Sequence, residues 1–105
     1  ISTLGHEIVH STGSAQRLDR DTLRDYFKDR SIRAREELVA EIGASFLMAD
    51  LGLAYSPRPD HAAYVASWLM ALGNDARAIF RAAAAAQAAA DWIHTHAASA
   101  LPMAA

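Results

Sequence analysis

The stretch His6-Glu7-Ile8-Val9-His10, close to the start of the chain, decides how the rest of the sequence is interpreted. On an α-helix, His6 and His10 are four positions apart, so both imidazoles emerge from one face about one turn apart. Two neutral ring nitrogens placed in this way can bind a single Zn²⁺. Glu7 adjoins one ligand, so its carboxylate can take a proton from a water on the metal. The pentad therefore predicts a helical metal site that needs a third ligand from elsewhere in the chain.

The alternative is a surface helix that carries these residues by coincidence. A shuffled chain of this composition would contain such a pentad in about one case in a hundred. Leu4, Ile8 and Val9 are apolar, so the predicted helix has a side to bury. The apolar neighbours favour the metal interpretation.

Composition limits the classes of protein to which the chain can belong. A length of 105 residues predicts one domain over residues 1–105. The net charge of −2 gives no basic surface for nucleic acid or anionic lipid. There is no cysteine, so a metal must be held by histidine and carboxylate. With no membrane-spanning run and no signal peptide, we expect a cytoplasmic protein that does not bind membranes. Because the chain starts at Ile1, just before the pentad, we also expect a fragment of a longer protein that lacks the N-terminal part of its fold.

Apolar periodicity predicts a mainly α fold with about four helices and no strands. A connection rich in both signs of charge, residues 14–33, is interpreted as a solvated surface segment with one short helix at most. The four predicted helices span roughly Ser2 to Thr12, Ile32 to Leu51, His61 to Leu72, and Asp75 to Ile93.

The second predicted helix carries carboxylates on two different stripes. Glu36, Gly43 and Asp50 form a narrow polar stripe, which we assign to solvent. Glu37 and Glu41 share a stripe that apolar residues flank on both sides. Carboxylates on such a surface are costly to bury unless a cation or hydrogen-bond donors meet them.

The candidates for the third metal ligand are Glu36, Glu37, Glu41, Asp50, Asp60 and His61. Glu36 and Asp50 lie on the stripe assigned to solvent, so helical phase removes both from the candidates. We select Glu37 as the ligand and Glu41 as the acceptor for the outer ring N–H of a ligand histidine, a bond that fixes the tautomer. The alternative is that Glu37 forms an ion pair with Arg33, which precedes it by one turn.

Hydrolysis of an amide also needs a donor for the oxyanion of the tetrahedral intermediate. His61 and Tyr64 begin the third predicted helix on one face, and either is a candidate for this role. The alternatives are a histidine in the capping turn and a tyrosine at the edge of the core. His94 and His96 diverge on a helix and are interpreted as surface residues.

The pentad followed by Glu37-Leu38-Val39-Ala40-Glu41 resembles the zincin metallopeptidases, whose second motif reads E-x-x-A-[D/E/N]. The longer combination resembles the metallopeptidase domain of ArdC-type antirestriction proteins, which also occurs in other polyvalent proteins of plasmids and phages. This resemblance covers roughly residues 1 to 95 and rests on His6–Gly13, Arg35–Gly43, Pro59–Tyr64, Ser67–Leu69 and Ala78–Ala83.

The resemblance implies a gluzincin-like zinc peptidase domain of a mobile-element protein that protects incoming DNA from restriction. It places the zinc ligands at His6, His10 and Glu37 and the general base at Glu7. The family's single-stranded-DNA-binding region is absent from this chain, so the expected partner is a protein or peptide substrate, with DNA bound only through that missing region. Two rival classes remain: a non-catalytic, zinc-stabilised binding or decoy domain associated with DNA, and a helical interaction domain without metal.

Overall fold

The structure, a computed structural model, describes residues 2–53, 61–73 and 75–100, and the side chains of 4–53, 62–73 and 75–97. These residues form five helices and no strand, so the prediction of a mainly helical chain is confirmed. The helices are α1 (Ser2–Ser11), α2 (Asp21–Arg24), α3 (Arg30–Asp50), α4 (His61–Ala71) and α5 (Ala76–Ala100). The helix beyond the four predicted ones is α2, in the charged connection. Asp60, one of the six ligand candidates, lies outside the described residues.

The long helix α3 is the centre of the fold, and α1, α4 and α5 each pack against it. On α5 the buried residues are alanines spaced by about one turn, which allows that helix to lie close to α3. None of the described helices combines the length and the apolar character that crossing a membrane requires. The core cluster includes Val9, Leu38, Val39, Leu47, Met48, Trp68, Leu72, Ala78, Ala82, Ala86, Ala89 and Ala90.

Glycine allows two close approaches around α1. A Cβ added at Gly43 would lie 2.8 Å from Cγ1 of Val9, closer than real Cβ contacts, so α1 and α3 meet where α3 has no side chain. A Cβ at Gly13, just beyond the end of α1, would lie 2.8 Å from Nη2 of Arg20. Both glycines keep room for neighbours that position the histidine helix.

The prediction that Glu36, Gly43 and Asp50 form a solvent-facing stripe is wrong for the first two. Glu36 is 0% exposed, and Gly43 is buried against α1. Asp50 is exposed, and it accepts a hydrogen bond from Nε2 of His94 at 2.7 Å. Helical phase gives the relative direction of side chains on one helix only. Here Arg20 and Thr22 of the connection cover Glu36, and Val9 of α1 covers Gly43.

Candidate metal centre

The two histidines of α1 and Glu37 of α3 meet at one point. Nε2 of His6 lies 2.9 Å from Oε2 of Glu37, and Nε2 of His10 lies 3.4 Å from Oε1 of the same carboxylate. The two Nε2 atoms are 3.1 Å apart. One ligand atom from each of the three side chains lies within 4.8 Å of the others. The structure therefore brings the three predicted ligands together, in a group that could hold one metal ion.

Each histidine donates a hydrogen bond from its other ring nitrogen, Nδ1, to a separate carboxylate. Nδ1 of His6 donates to Oε2 of Glu41 at 2.8 Å, as expected from the sequence. Nδ1 of His10 donates to Oε2 of Glu36 at 2.7 Å, a contact that the sequence interpretation missed. Histidine ligands of metals are commonly oriented by such a carboxylate, which leaves Nε2 to bind the ion. Both rings therefore present Nε2 toward Glu37.

Glu36 is itself held by the connection between α1 and α3. Nε of Arg20 donates to Oε1 at 2.8 Å and Nη2 donates to Oε2 at 2.9 Å, which makes the pair bidentate. Oγ1 of Thr22 donates to Oε1 at 2.8 Å. Arg20 also reaches α1, because Nη2 donates to the carbonyl of Val9 at 3.0 Å. The connection therefore fixes both the carboxylate and the helix that carries the histidines.

Acidic side chains predominate in this cluster. Three largely buried carboxylates, Glu36, Glu37 and Glu41, surround the histidines, and Arg20 is paired with Glu36. With neutral imidazoles, these four side chains carry three negative charges and one positive charge. Buried charge of this size requires compensation. The nitrogen donors of His6 and His10 and the oxygen donors of Glu37 fit Zn²⁺.

The same negative charge shifts the protonation of the metal-free cluster. Burial alone would lower the pKa of His10, but hydrogen bonds with Glu36 and Glu37 raise it to about 9. The pKa of His6 is raised in the same way, by hydrogen bonds that oppose its burial. Burial would raise the pKa of Glu37, but hydrogen bonds from both histidines hold it well below its usual range. Protons on the imidazoles therefore compensate in part for the charge that a metal would supply.

Tyr26, in the connection, was not predicted as part of the site. Its hydroxyl donates to Oε1 of Glu37 at 2.5 Å, and its ring is edge-on to that of His10 with centroids 6.5 Å apart. Burial and the hydrogen bond to Glu37 raise the pKa of Tyr26 above its usual range, so the phenol stays a neutral donor. No spacing rule relates a tyrosine in an irregular segment to a ligand on the next helix.

Glu7 is exposed beside the ligands. It lines a cavity of about 370 Å³, which we call the first cavity. The other residues that line it are His10, Leu23, Tyr26, Phe27 and Glu37. No hydrogen bond or ion pair joins the Glu7 side chain to another side chain in the described parts of the chain. A carboxylate that is open to a cavity next to two ligands is placed to exchange a proton with a molecule in that cavity.

The remaining residues that the sequence analysis singled out differ in where the structure places them. The side chain of His61 lies outside the described residues. Tyr64 is exposed and stacks on Trp68, with centroids 6.1 Å apart, in a second cavity that Glu37 also lines. Arg33 forms no ion pair with Glu37, so the alternative interpretation of Glu37 as an arginine partner is not realised. His94 is exposed, as expected.

Residues 1–85 match the model of a family described as zincin-like metallopeptidase. The chain belongs to this family. Membership in the zincin-like metallopeptidases implies a bound metal ion, typically zinc, and the donors His6, His10 and Glu37 fit that requirement. The family assignment that the two sequence motifs suggested is confirmed.

Three curated relatives of this zincin-like chain match nearly its whole length. An uncharacterized protein, y4eC, of Sinorhizobium fredii (strain NBRC 101917 / NGR234) is 48% identical over 93 residues, which is 89% of this chain and 30% of that protein. A DNA primase TraC of Escherichia coli is 44% identical over 92 residues, 88% of this chain and 8% of the primase. A second TraC primase of that species is 41% identical over 92 residues, 88% of this chain and 6% of the primase. The chain thus spans less than a third of each relative. No solved structure matches.

Proposed function

We propose that this chain is a zinc-dependent peptidase domain, with zinc held by His6, His10 and Glu37. The observation that carries the proposal is the convergence of three ligand atoms within 4.8 Å. One feature supports it further: each histidine is oriented through Nδ1 by its own carboxylate.

Zinc, when bound, lowers the pKa of a water toward about 7 and polarises a carbonyl group. The chain supplies the rest of the chemistry. Glu7 accepts the proton of the attacking water at its carboxylate and passes it to the leaving amine nitrogen. Tyr26 is a neutral hydroxyl donor that donates to Glu37 here, and it would donate to the oxyanion that develops on the substrate carbonyl by turning its proton from that carboxylate. Tyr64 and His61 are the other candidates for that donor.

The wider role rests on resemblance and on the relatives. We propose that the domain acts in the cytoplasm within a mobile-element protein of the antirestriction type, on a protein or peptide substrate. The names of two relatives link similar domains to DNA primases. DNA would be bound by another region of such a protein, because this chain carries no net positive charge.

The test is cleavage of a peptide library by the zinc-loaded chain and its Glu7→Gln variant. Glu7 is exposed and is not part of the carboxylate–histidine network, so we expect the variant to fold and bind zinc as wild type does. Cleavage should fall at least about a hundredfold, since general-base catalysis contributes roughly 10²–10⁴-fold. Equal cleavage by both proteins, or none by wild type with full zinc occupancy, would contradict the proposal and favour the non-catalytic decoy domain.

A further inference from the structure

A second cavity, of about 380 Å³, adjoins the metal centre and differs in character from the first. Tyr26 and Glu37 line both cavities, so each is next to the proposed zinc ligand. The first cavity is completed by Glu7, His10 and apolar side chains. The second is completed by two arginines, two aromatic rings and small residues: Arg30, Arg33, Ala34, Tyr64, Ser67, Trp68 and Ala71.

The arginines give the second cavity its charge. Arg30 is exposed and its Nη2 donates to Oγ of Ser67 at 3.2 Å. Arg33 is half-buried, and its guanidinium makes no hydrogen bond or ion pair with any side chain in the described part of the molecule. The nearby acid, Asp29, accepts hydrogen bonds from the backbone N–H and the hydroxyl of Ser31. A partly desolvated guanidinium therefore faces a cavity without a carboxylate bound to it.

The rest of the wall suits a short aliphatic stem. Tyr64 and Trp68 line the cavity beside the arginines, and their rings are stacked with an interplanar angle of 28°, so they supply the aromatic part of the wall. A guanidinium binds a carboxylate through two parallel N–H bonds, which makes it the preferred group for this anion. Among the described residues that line the cavity, Glu37 is the acidic one, and its carboxylate contacts both histidines.

We propose that this second cavity binds a carboxylate of the peptide substrate next to the scissile bond, and that Arg33 determines this specificity. The inference rests on the proposed peptidase function. The carboxylate has two possible sources, the side chain of an Asp or Glu residue and the C-terminus of the peptide. The guanidinium would bind either carboxylate in the same way. Cleavage beside an acidic residue and removal of a C-terminal residue would therefore both follow from this interaction.

The experiment compares matched peptides that differ only by Glu or Gln at each position around the cleaved bond. Each peptide is made with an amidated and with a free C-terminus, which separates the two sources. We measure kcat/KM for the zinc-loaded chain and, separately, the Kd of each peptide for the zinc-loaded Glu7→Gln variant. We expect the peptide with the carboxylate to have a kcat/KM roughly 10- to 100-fold higher, either in the comparison of Glu with Gln or in that of free with amidated C-termini. This is the size typical of a charge-assisted hydrogen-bonded pair.

Three variants make the assignment specific. Arg33→Gln should remove the preference in kcat/KM and in Kd, and Arg33→Glu should shift it toward peptides with Lys at that position. Arg35→Gln is the matched control, because Arg35 lies on the same helix but lines a different cavity. Zinc content and circular dichroism of each variant show that ligands and fold are retained.

The outcomes separate this inference from the proposed function. Cleavage by wild type without any preference for a carboxylate, or a preference that survives in Arg33→Gln, overturns the inference and leaves the peptidase standing. Absence of cleavage by wild type contradicts the proposed function, while the Kd series with Glu7→Gln still tests whether Arg33 binds the carboxylate. Equal Kd values for Glu and Gln peptides, together with equal Kd values for free and amidated C-termini, also overturn the inference.

Discussion

Oε2 of Glu36 accepts a hydrogen bond from Nδ1 of His10 at 2.7 Å, so a fully buried carboxylate on α3 orients a proposed ligand on α1. Arg20 holds that carboxylate with two further bonds, at 2.8 and 2.9 Å. The charged connection between the helices is therefore a structural part of the metal centre. A disturbance of Arg20 or Glu36 is transmitted to His10 without touching a metal ligand.

Replacing Glu36 by Gln should weaken the metal centre and the fold together. The amide is a poor acceptor for Nδ1 of His10, and it leaves Arg20 buried without its counter-charge. We expect the Kd for zinc to rise roughly 10- to 100-fold, as found when such supporting carboxylates are changed. Breaking a buried ion pair costs about 3–5 kcal/mol of unfolding free energy. Competition with a chelating dye measures the first effect and chemical denaturation measures the second.

Asp50→Asn is the control for this substitution. Asp50 lies on the same helix and accepts a hydrogen bond from His94, but that pair is exposed. Exposed pairs contribute roughly 0–1 kcal/mol, so zinc affinity and stability should stay close to wild type. A Glu36→Gln variant that behaves like Asp50→Asn would show that Glu36 does not support His10.

Gly43→Ala should separate α1 from α3. Its Cβ would approach Cγ1 of Val9 to 2.8 Å, and both atoms lie between packed helices. We expect a loss of about 1–3 kcal/mol of unfolding free energy, typical of overpacking, despite the better helix propensity of alanine. Val9→Ala should recover part of the loss in the double variant, which a double-mutant cycle in urea measures.

Gly5→Ala is the matched change on the other helix. A Cβ there would meet Cε of Met48 at 3.4 Å and Cβ of Ala44 at 3.5 Å, which are ordinary contacts. The gain in helix propensity then dominates, and stability should stay equal or rise by up to about 1 kcal/mol. Equal losses in Gly5→Ala and Gly43→Ala would argue against a specific close approach at Gly43.

The metal-free chain should lose stability as the pH rises from about 6.5 to 9. The pKa of His10 is raised from an unfolded value of about 6.5 to about 9, against the effect of its burial, by hydrogen bonds with Glu36 and Glu37. A raised folded pKa stabilises the protein fully below the unfolded pKa, and this stabilisation is lost as the pH passes through the folded pKa. Thermal unfolding with a chelator across this range measures the trend.

Zinc should reverse that trend, because it binds neutral imidazoles and displaces their protons. The Tm of the zinc-loaded chain should therefore rise or stay level over the same range. Calorimetric titration of zinc at pH 7.5 in buffers of different ionisation enthalpy should show net proton release. Binding without proton release would contradict the raised pKa values of His6 and His10 in the metal-free state.

Tyr26→Phe should lower catalysis more than it lowers zinc affinity. The hydroxyl donates to Glu37 but supplies no metal ligand, so zinc should still bind. Loss of an oxyanion donor costs roughly 10²–10³-fold in kcat. Tyr64→Phe is the comparison: if Tyr64 is the donor, the large loss appears in that variant and Tyr26→Phe stays near wild type. Steady-state kinetics on one peptide distinguishes the two.

The site residues that follow from local spacing or from helical phase were predictable, and those that depend on the irregular connection were not. His6 and His10 follow from local spacing, and Glu37 and Glu41 from the phase of an otherwise apolar helix. Glu36 was assigned to solvent because its partner, Arg20, lies 16 positions away in an irregular segment. A helical wheel contains no information about what the neighbouring segment covers.

The helices themselves followed from local signals. α3 begins at Arg30, before the predicted Ile32, because the side chain of Asp29 accepts from the N–H of Ser31 and caps the helix. The charged connection was interpreted as solvated because its signs alternate. Arg20 and Thr22 are nevertheless buried, since Glu36 offers them a carboxylate inside the fold. Mixed charge along a sequence does not separate solvated residues from residues with buried partners.

Metal content is the most direct test of the central claim that His6, His10 and Glu37 hold one divalent ion. Elemental analysis should be made on the purified chain and on His10→Ala, with His96→Ala as the control for loss of an exposed histidine. We expect one zinc per chain in wild type and in His96→Ala, and a large loss in His10→Ala. Metal-free wild-type protein after purification and zinc titration, or equal zinc in His10→Ala, would contradict the account.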